Sequence, residues 1–402
     1  MFTLKTFFYR LYHCGLKLLV TVLAPPSPTL FKGNQATENL INHIHSNNLR
    51  RLLLVTDSQI KSSGLHQNIC TLLANNNISI ELYSHVEQNN PISNIEQGLS
   101  HYLQAQCQAV ICLGGGSVMD CGKLIAARVA RPNKTIRQLK GLFKIRRKLP
   151  PVYAIPTTAG TGSETTVAAV AYDPMEKQKF AVTDLCLCPT AAVLLPELTY
   201  NLPPQITANT GMDALTHAVE SYLSVIASDF TRKKAMEACG LIFANLLPAY
   251  KQGNCHQHRD NMLLASFYAG EAFTRAHVGY VHAMAHSIGG HYGTAHGLAN
   301  AVLLPRVLRW YGPSVEQKLA DLADHCQLGS DKDSQGAKAR AFIEAIEKLN
   351  QQMAIPSGIG EVNAKHIPEL ANKALKEAHP EYPVPKFMNL NSCQKLLQSI
   401  LI

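Results

Sequence analysis

The chain of 402 residues is 46% hydrophobic and 16% charged, which gives enough apolar material for two domains that each bury a core. Its formal charge of +9 is scattered, with KIRRK at 144–148 the densest run, so no nucleic-acid partner is expected. The 11 cysteines are odd in number and irregularly spaced, which argues against a disulfide framework and for a reducing, cytoplasmic compartment.

Residues 1–29 read as an N-terminal extension, helical in character. The segment MFTLKTFFYRLYHCGLKLLVTVLAPPSP has basic residues and an apolar run, as a signal peptide would, but Lys17 interrupts the run. The uninterrupted part, LLVTVLA, is marginal for a signal core and too short to span a bilayer. Packing of the extension on the body is favoured over contact with a membrane surface.

Residues 30–202 alternate helical and strand-like segments. LRRLLLVTDS (49–58), ISIELYSHV (78–86), CQAVICLGGGS (107–117) and LPPVYAIPTTAGTGSE (149–164) carry apolar runs that end in turn residues. Such runs suit buried parallel strands whose carboxyl ends face a ligand, so a doubly wound α/β domain with a mainly parallel sheet is expected. After LPPQ (202–205) apolar residues recur at three and four, and residues 203–402 read as helical. The prolines at 203 and 204 mark the boundary.

Two glycine-rich turns follow predicted strands. LGGGSVMDCGK (113–123) runs into a helix, where bare backbone amides can hold phosphate. It is neither a GxGxxG fingerprint, because position 119 is methionine, nor a P-loop, because position 117 is serine. PTTAGTGSE (156–164) offers the hydroxyls of Thr157, Thr158, Thr161 and Ser163 between glycines. Two such loops in one α/β unit favour a dinucleotide crevice over two plain turns. Asp57, at the end of LLLVTD, is placed to meet an adenosine ribose and to repel a 2′-phosphate, which favours NAD over NADP.

In the helical half, GMDALTHAVES puts Asp213 and His217 four apart, on one helix face. VHAMAHSIGGHYGTAHGLAN repeats that spacing with His282 and His286 and adds His291 and His296. One carboxylate and several imidazoles make a nitrogen and oxygen set suited to Fe²⁺ or Zn²⁺, and the net positive charge left on the ion would polarise a substrate oxygen. Nothing in its spacing singles out His291, which is read as a structural group.

Taken in order, VTD at 55–57, NP at 90–91, GGGSVMDCGK, IPTTAGTGSE, GMDALTHAVES and VHAMAHSIGGHYGTAHGLANAVLLP resemble the iron-containing (group III) alcohol dehydrogenase family. The resemblance spans residue 30 to the C-terminal helices. It implies an N-terminal dinucleotide-binding domain, an all-helical metal-binding domain and a cleft between them. Position by position, it implies Asp213, His217, His282 and His296 as metal ligands, with His286 at the reacting centre. Cofactor contacts would be Asp57, Asn90, Gly115, Gly116, Ser117, Asp120, Thr157, Thr158, Thr161 and Lys179. Departures are Ala295 where the family has proline before its histidine, Leu195 where an Asp-Pro is frequent, and Ala168 at a polar position.

The expected activity is reversible oxidation of an alcohol to an aldehyde or ketone, with hydride passing to NAD and the metal acting as Lewis acid. His286 would relay the departing proton or position the nicotinamide. Alternatives are polyol or glycerol oxidation or keto-acid reduction on the same scaffold, and a non-catalytic metal- or nucleotide-binding protein. The partners expected are a small-molecule alcohol or aldehyde and further copies of the chain in a homo-oligomer, a dimer.

Overall fold

A computed structural model of the chain describes residues 2–330 and 332–402. It contains two compact units, Pro25–Asn201 and Leu202–Ile402, the second joined by the N-terminal residues through Ala24.

The chain opens with helix α1 (Phe2–Leu23). In Pro25–Asn201 there follow, in order, β1 (Thr29–Phe31), α2 (Ala36–Ser46), β2 (Arg51–Asp57), α3 (Ser58–Ser63), α4 (Gln67–Asn75), β3 (Ser79–Val86), α5 (Ile92–Gln104), β4 (Ala109–Gly114) and α6 (Gly116–Ala130). Then come α7 (Ile136–Leu139), β5 (Gly141–Leu142), β6 (Val152–Pro156), β7 (Ala168–Asp173), β8 (Gln178–Thr183) and β9 (Ala191–Val193). Six strands form a parallel sheet in the order β1-β9-β6-β4-β2-β3. The chain goes outward from β2 to β3, then returns to β4 on the other side of β2. The switch point therefore lies at the carboxyl ends of β2 and β4, where open α/β sheets bind ligands.

The apolar runs of the central strands reflect burial on both faces. Leu53, Val55, Val110, Cys112, Val152 and Ala154 enter one core with residues of α5 and α6. Their neighbours Leu52, Leu54, Ala109, Ile111, Leu113, Tyr153 and Ile155 enter a second core with residues of α2 and α4. A period of two thus divides one continuous hydrophobic run between two layers of helices, the doubly wound arrangement expected from the sequence. A smaller sheet, β5-β8-β7, pairs β7 with β8 antiparallel and β5 with β8 parallel.

The other unit is helical: α8 (Pro204–Leu223), α9 (Asp229–Lys251), α10 (His256–Ala276), α11 (Tyr280–Tyr292), α12 (His296–Tyr311), α13 (Glu316–His325), α14 (Gln335–Gln352), α15 (Ile367–Ala378) and α16 (Leu390–Gln398). Pro204 opens α8 at a position where its missing N–H costs nothing. From Gly211 to Leu223 every residue of α8 is buried, and α9, α10 and α12 surround it. Such a helix needs partners for any charge it carries, and it carries Asp213, His217 and Glu220. Close approach at its start is set by glycine, since a Cβ on Gly297 would fall 2.0 Å from the Asn209 carbonyl oxygen.

Helix α1 packs on this unit. The Arg10 guanidinium donates to the carbonyls of Val384 and Pro385, both at 2.7 Å, and lies 4.3 Å from the centre of the Phe387 ring. His13 lies 2.8 Å from the Pro380 carbonyl. Among the described residues no helix is long and apolar enough to cross a membrane.

Candidate metal centre and nucleotide loops

Helix periodicity brings together the groups that the sequence spacing singles out. Asp213 and His217 lie one turn apart on α8, and His282 meets them from α11, so that one donor atom from each lies within 4.8 Å of the others. All three residues are buried. His296, the first residue of α12, places Nε2 3.3 Å from Asp213 Oδ1, and His282 Nε2 is 3.8 Å from the same oxygen. The His217 ring is held between Phe273, 4.2 Å away between centroids, and His282, 4.4 Å away.

Three residues that the sequence reading passed over support this cluster. Glu220 accepts from the amides of Gly279 and Val281, at 2.8 and 2.7 Å, and its Oε2 lies 2.7 Å from His282 Nδ1. It thereby seats the start of α11 and turns Nε2 of His282 toward Asp213. Asn300, one turn after His296, donates from its amide nitrogen to Asp213 Oδ1 at 2.7 Å. That nitrogen also lies 3.1 Å from His296 Nε2 and 3.4 Å from His282 Nε2. Glu377 Oε1 lies 2.6 Å from Nδ1 of the exposed His286 and accepts from the Tyr382 hydroxyl at 2.6 Å. The signal for two of them was in the chain, because Glu220 continues the Asp213 and His217 face and Asn300 follows His296 by four.

The electrostatics suit a cation. Burial opposes ionisation of Asp213, yet the charges of His217 and His296 and hydrogen bonds from His282 and His296 hold its carboxyl well below the usual range. Burial likewise works against charge on His282, but hydrogen bonds to Asp213 and Glu220 push it up to about 9. The electropositive end of the Asn300 amide sits where a carboxylate oxygen and two imidazole nitrogens converge, while Asn300 Oδ1 is buried with no partner among the described residues. A donor set of one carboxylate and imidazole nitrogens, already gathered around a partial positive charge, fits a divalent first-row ion. His291 stands apart from this cluster, its ring 4.4 Å from His366 and its Nδ1 3.9 Å from Glu369.

In the α/β unit, Asp57 ends β2 beside the end of β4 and caps α3, accepting from the Ile60 amide at 2.8 Å. Gly115 is the N-cap of α6 with no side chain capping it, so the first-turn amides of Gly116 and Ser117 face outward from a helix start. The loop after β6 lies against this turn: a Cβ on Gly115 would be 3.4 Å from Thr158 Oγ1, and one on Gly116 3.1 Å from Thr161. Thr157 is buried and its amide donates to the Gly114 carbonyl at 3.1 Å. Further along α6, Gly122 permits contact with β4, since a Cβ there would fall 2.2 Å from Cys112 Sγ.

Asn90 and Asp120 hold the same residue. Asn90 Nδ2 donates to the Val170 carbonyl at 2.9 Å, and Asp120 Oδ2 accepts from the Val170 amide at 3.0 Å. Ser163 donates to Asp120 Oδ1 at 2.8 Å. Asn90 thus ties the loop after β3 to β7, and Asp120 ties both glycine-rich segments to it. Exposed Lys179 lies on the neighbouring strand opposite Tyr172. Lys123, wholly buried, donates to Thr166 Oγ1 at 2.8 Å and to the carbonyls of Ser163, Thr166 and Ala168 at 2.5, 3.0 and 3.1 Å. Leu195 is buried in the second core, an apolar contact in place of a carboxylate.

A sheet with a phosphate-type turn at its switch point and a helical unit with a buried carboxylate and imidazole cluster define a metal-dependent, nucleotide-linked oxidoreductase. Residues 26–196 match the family model described as iron-containing alcohol dehydrogenase, and residues 207–401 match that of the Fe-containing alcohol dehydrogenase family, C-terminal. The chain belongs to this family. It is 37% identical over 357 residues to alcohol dehydrogenase 4 of Schizosaccharomyces pombe, covering 88% of this chain and 83% of the other. The solved structure of a 1,3-propanediol oxidoreductase superposes with a TM-score of 0.89 at 34% identity, covering 93% of this chain and 98% of that one. A sulfoacetaldehyde reductase from Bifidobacterium kashiwanohense, solved with NAD⁺, matches with a TM-score of 0.83 at 25% identity, covering 94% and 97%. The chain is thus an alcohol dehydrogenase of the iron-containing type.

Proposed function

We propose that the chain interconverts a short primary alcohol or diol with its aldehyde, using Asp213, His217, His282 and His296 to hold Fe²⁺, with Zn²⁺ as the alternative ion. The observation that carries this reading is the gathering of Asp213, His217 and His282 donor atoms within 4.8 Å, with Glu220 fixing His282 from behind. When bound, the ion would supply Lewis-acid polarisation of an alcohol oxygen and the nicotinamide would supply the hydride acceptor.

The chain's own residues supply positioning and proton handling. Asp213 brings one negative charge, leaving a divalent ion net positive. Glu377 holds the Nδ1 side of His286, which leaves Nε2 to take the hydroxyl proton and, from an exposed ring stacked 5.0 Å from His296, to pass it to solvent. Asp57 selects NAD over NADP by repelling a 2′-phosphate. The first turn of α6, from Gly115 to Ser117, takes the diphosphate, with Thr158 and Thr161 beside it. Thr157, Asn90, Asp120 and Lys179 shape and border that site. The substrate class follows from likeness to a 1,3-propanediol oxidoreductase and an alcohol dehydrogenase. Eleven free thiols support a reducing, cytoplasmic setting, in which we expect a homodimer.

The test is anaerobic purification with metal analysis, followed by NAD-linked oxidation of ethanol, propanol, 1,3-propanediol and glycerol. His282→Ala should lose both ion and turnover. Full activity with bound ion in that variant refutes the ligand assignment.

A further inference from the structure

Helix α1 is apolar on two opposite sides. One side, carrying Tyr9, Arg10 and His13, is spent on residues 380–387 of the helical unit. The other presents Leu4, Phe7, Phe8, Leu11, Leu18 and Val22, each more than half exposed. These positions recur at three, four and seven, so they form one stripe along the helix. Lone exposed apolar residues need no explanation, but a contiguous stripe with two phenylalanines marks a surface that is covered in use.

The charge around the stripe identifies what covers it. Lys5 and Lys17 are exposed, and no Asp or Glu occurs in the chain before Glu38. Arg10, held by two carbonyls, is not available to a partner. Pairing with the same stripe of a second copy would bring together two helices whose own charged side chains, Lys5, Arg10 and Lys17, are all basic. Anionic lipid headgroups offset both lysines while the acyl boundary takes the phenylalanines and leucines. The same charges keep α1 from crossing a bilayer, and its docked side holds it against the protein.

We propose that α1 lies in the plane of an anionic membrane surface and docks the enzyme there, apolar stripe inward, with its other side still bound to the helical unit.

The full-length protein is mixed with vesicles of phosphatidylcholine alone or of phosphatidylcholine with phosphatidylglycerol, and bound protein is separated by flotation. We expect flotation with the anionic vesicles, reversed by salt, and binding to neutral vesicles weaker by about ten-fold or more. Phe8→Asp combined with Leu11→Asp and Leu18→Asp should abolish flotation and leave NAD-linked turnover unchanged. Lys5→Glu with Lys17→Glu, which leaves the apolar stripe intact, should lower anionic binding by about ten-fold or more. Wild-type protein left at the bottom of both gradients overturns the proposal. So does a doubled mass in sedimentation that the triple variant abolishes without any vesicle binding, which assigns the stripe to a second copy.

Discussion

Oε2 of Glu220 lies 2.7 Å from Nδ1 of His282, and both groups are buried. A carboxylate behind a ligating imidazole fixes its tautomer and ring orientation, so Glu220→Gln should weaken metal binding by about 10- to 100-fold. Turnover of that variant should return at saturating metal, as a titration followed by metal analysis would show. Glu220→Ala should in addition strand the amides of Gly279 and Val281, at about 1–3 kcal/mol for each, read from the thermal melt. An unchanged metal affinity in Glu220→Gln would remove the orienting role.

Two glycines separate the nucleotide side from the metal side. In Gly122→Ala the new methyl meets Cys112 Sγ at 2.2 Å, which should push α6 off β4, cost about 1–3 kcal/mol and weaken NAD binding while metal content holds. Gly297→Ala meets the Asn209 carbonyl at 2.0 Å, a backbone atom that cannot swing aside. That variant should lose metal, because His296 opens the displaced turn, while NAD titration by fluorescence stays near wild type.

Asp57 combines a helix cap with a proposed cofactor filter, and serine distinguishes the two roles. Asp57→Ser keeps an acceptor for the Ile60 amide, so stability should change by about 0.5 kcal/mol or less. Without the carboxylate charge the preference for NAD over NADP should fall, measured as the ratio of kcat/KM for the two. An unaltered ratio removes Asp57 from that role.

The Tyr280 hydroxyl accepts from the Met388 amide at 2.8 Å, so its proton goes to His379 Nε2 at 2.5 Å. Burial, reinforced by His13, lowers both His379 and His277 from 6.5 to about 4. Between those pH values the unfolded chain binds protons that the folded chain refuses. The stability that depends on these two histidines should therefore be complete above pH 6.5 and decline as pH falls toward 4. Thermal melts across that range should show the decline, and a smaller one in His379→Gln. A melting temperature flat through the window would contradict the assignment.

How far the chain could be read depended on element length. The long runs around Leu52–Val55 and Ala109–Leu113 announced buried strands, because seven- and six-residue strands covered on both faces have no polar positions to spare. β1 and β9 went unread, since three residues cannot display a period. The β7–β8 hairpin was hidden by an alanine-rich strand, and only its tie to Asn90 and Asp120 gives it weight. Spacing alone paired Asp213 with His217 and His282 with His286 on shared helix faces, and the family resemblance was needed to single out His282 from the second pair. The orienting role of Glu220 was not, because its hydrogen bonds to Gly279, Val281 and His282 cross about sixty residues of chain that only the fold brings together.

Asn300 links three helices through one side chain. Its amide nitrogen reaches Asp213 on α8, His282 on α11 and His296 on α12, so a displacement of α12 is felt at the donor atoms of both other helices.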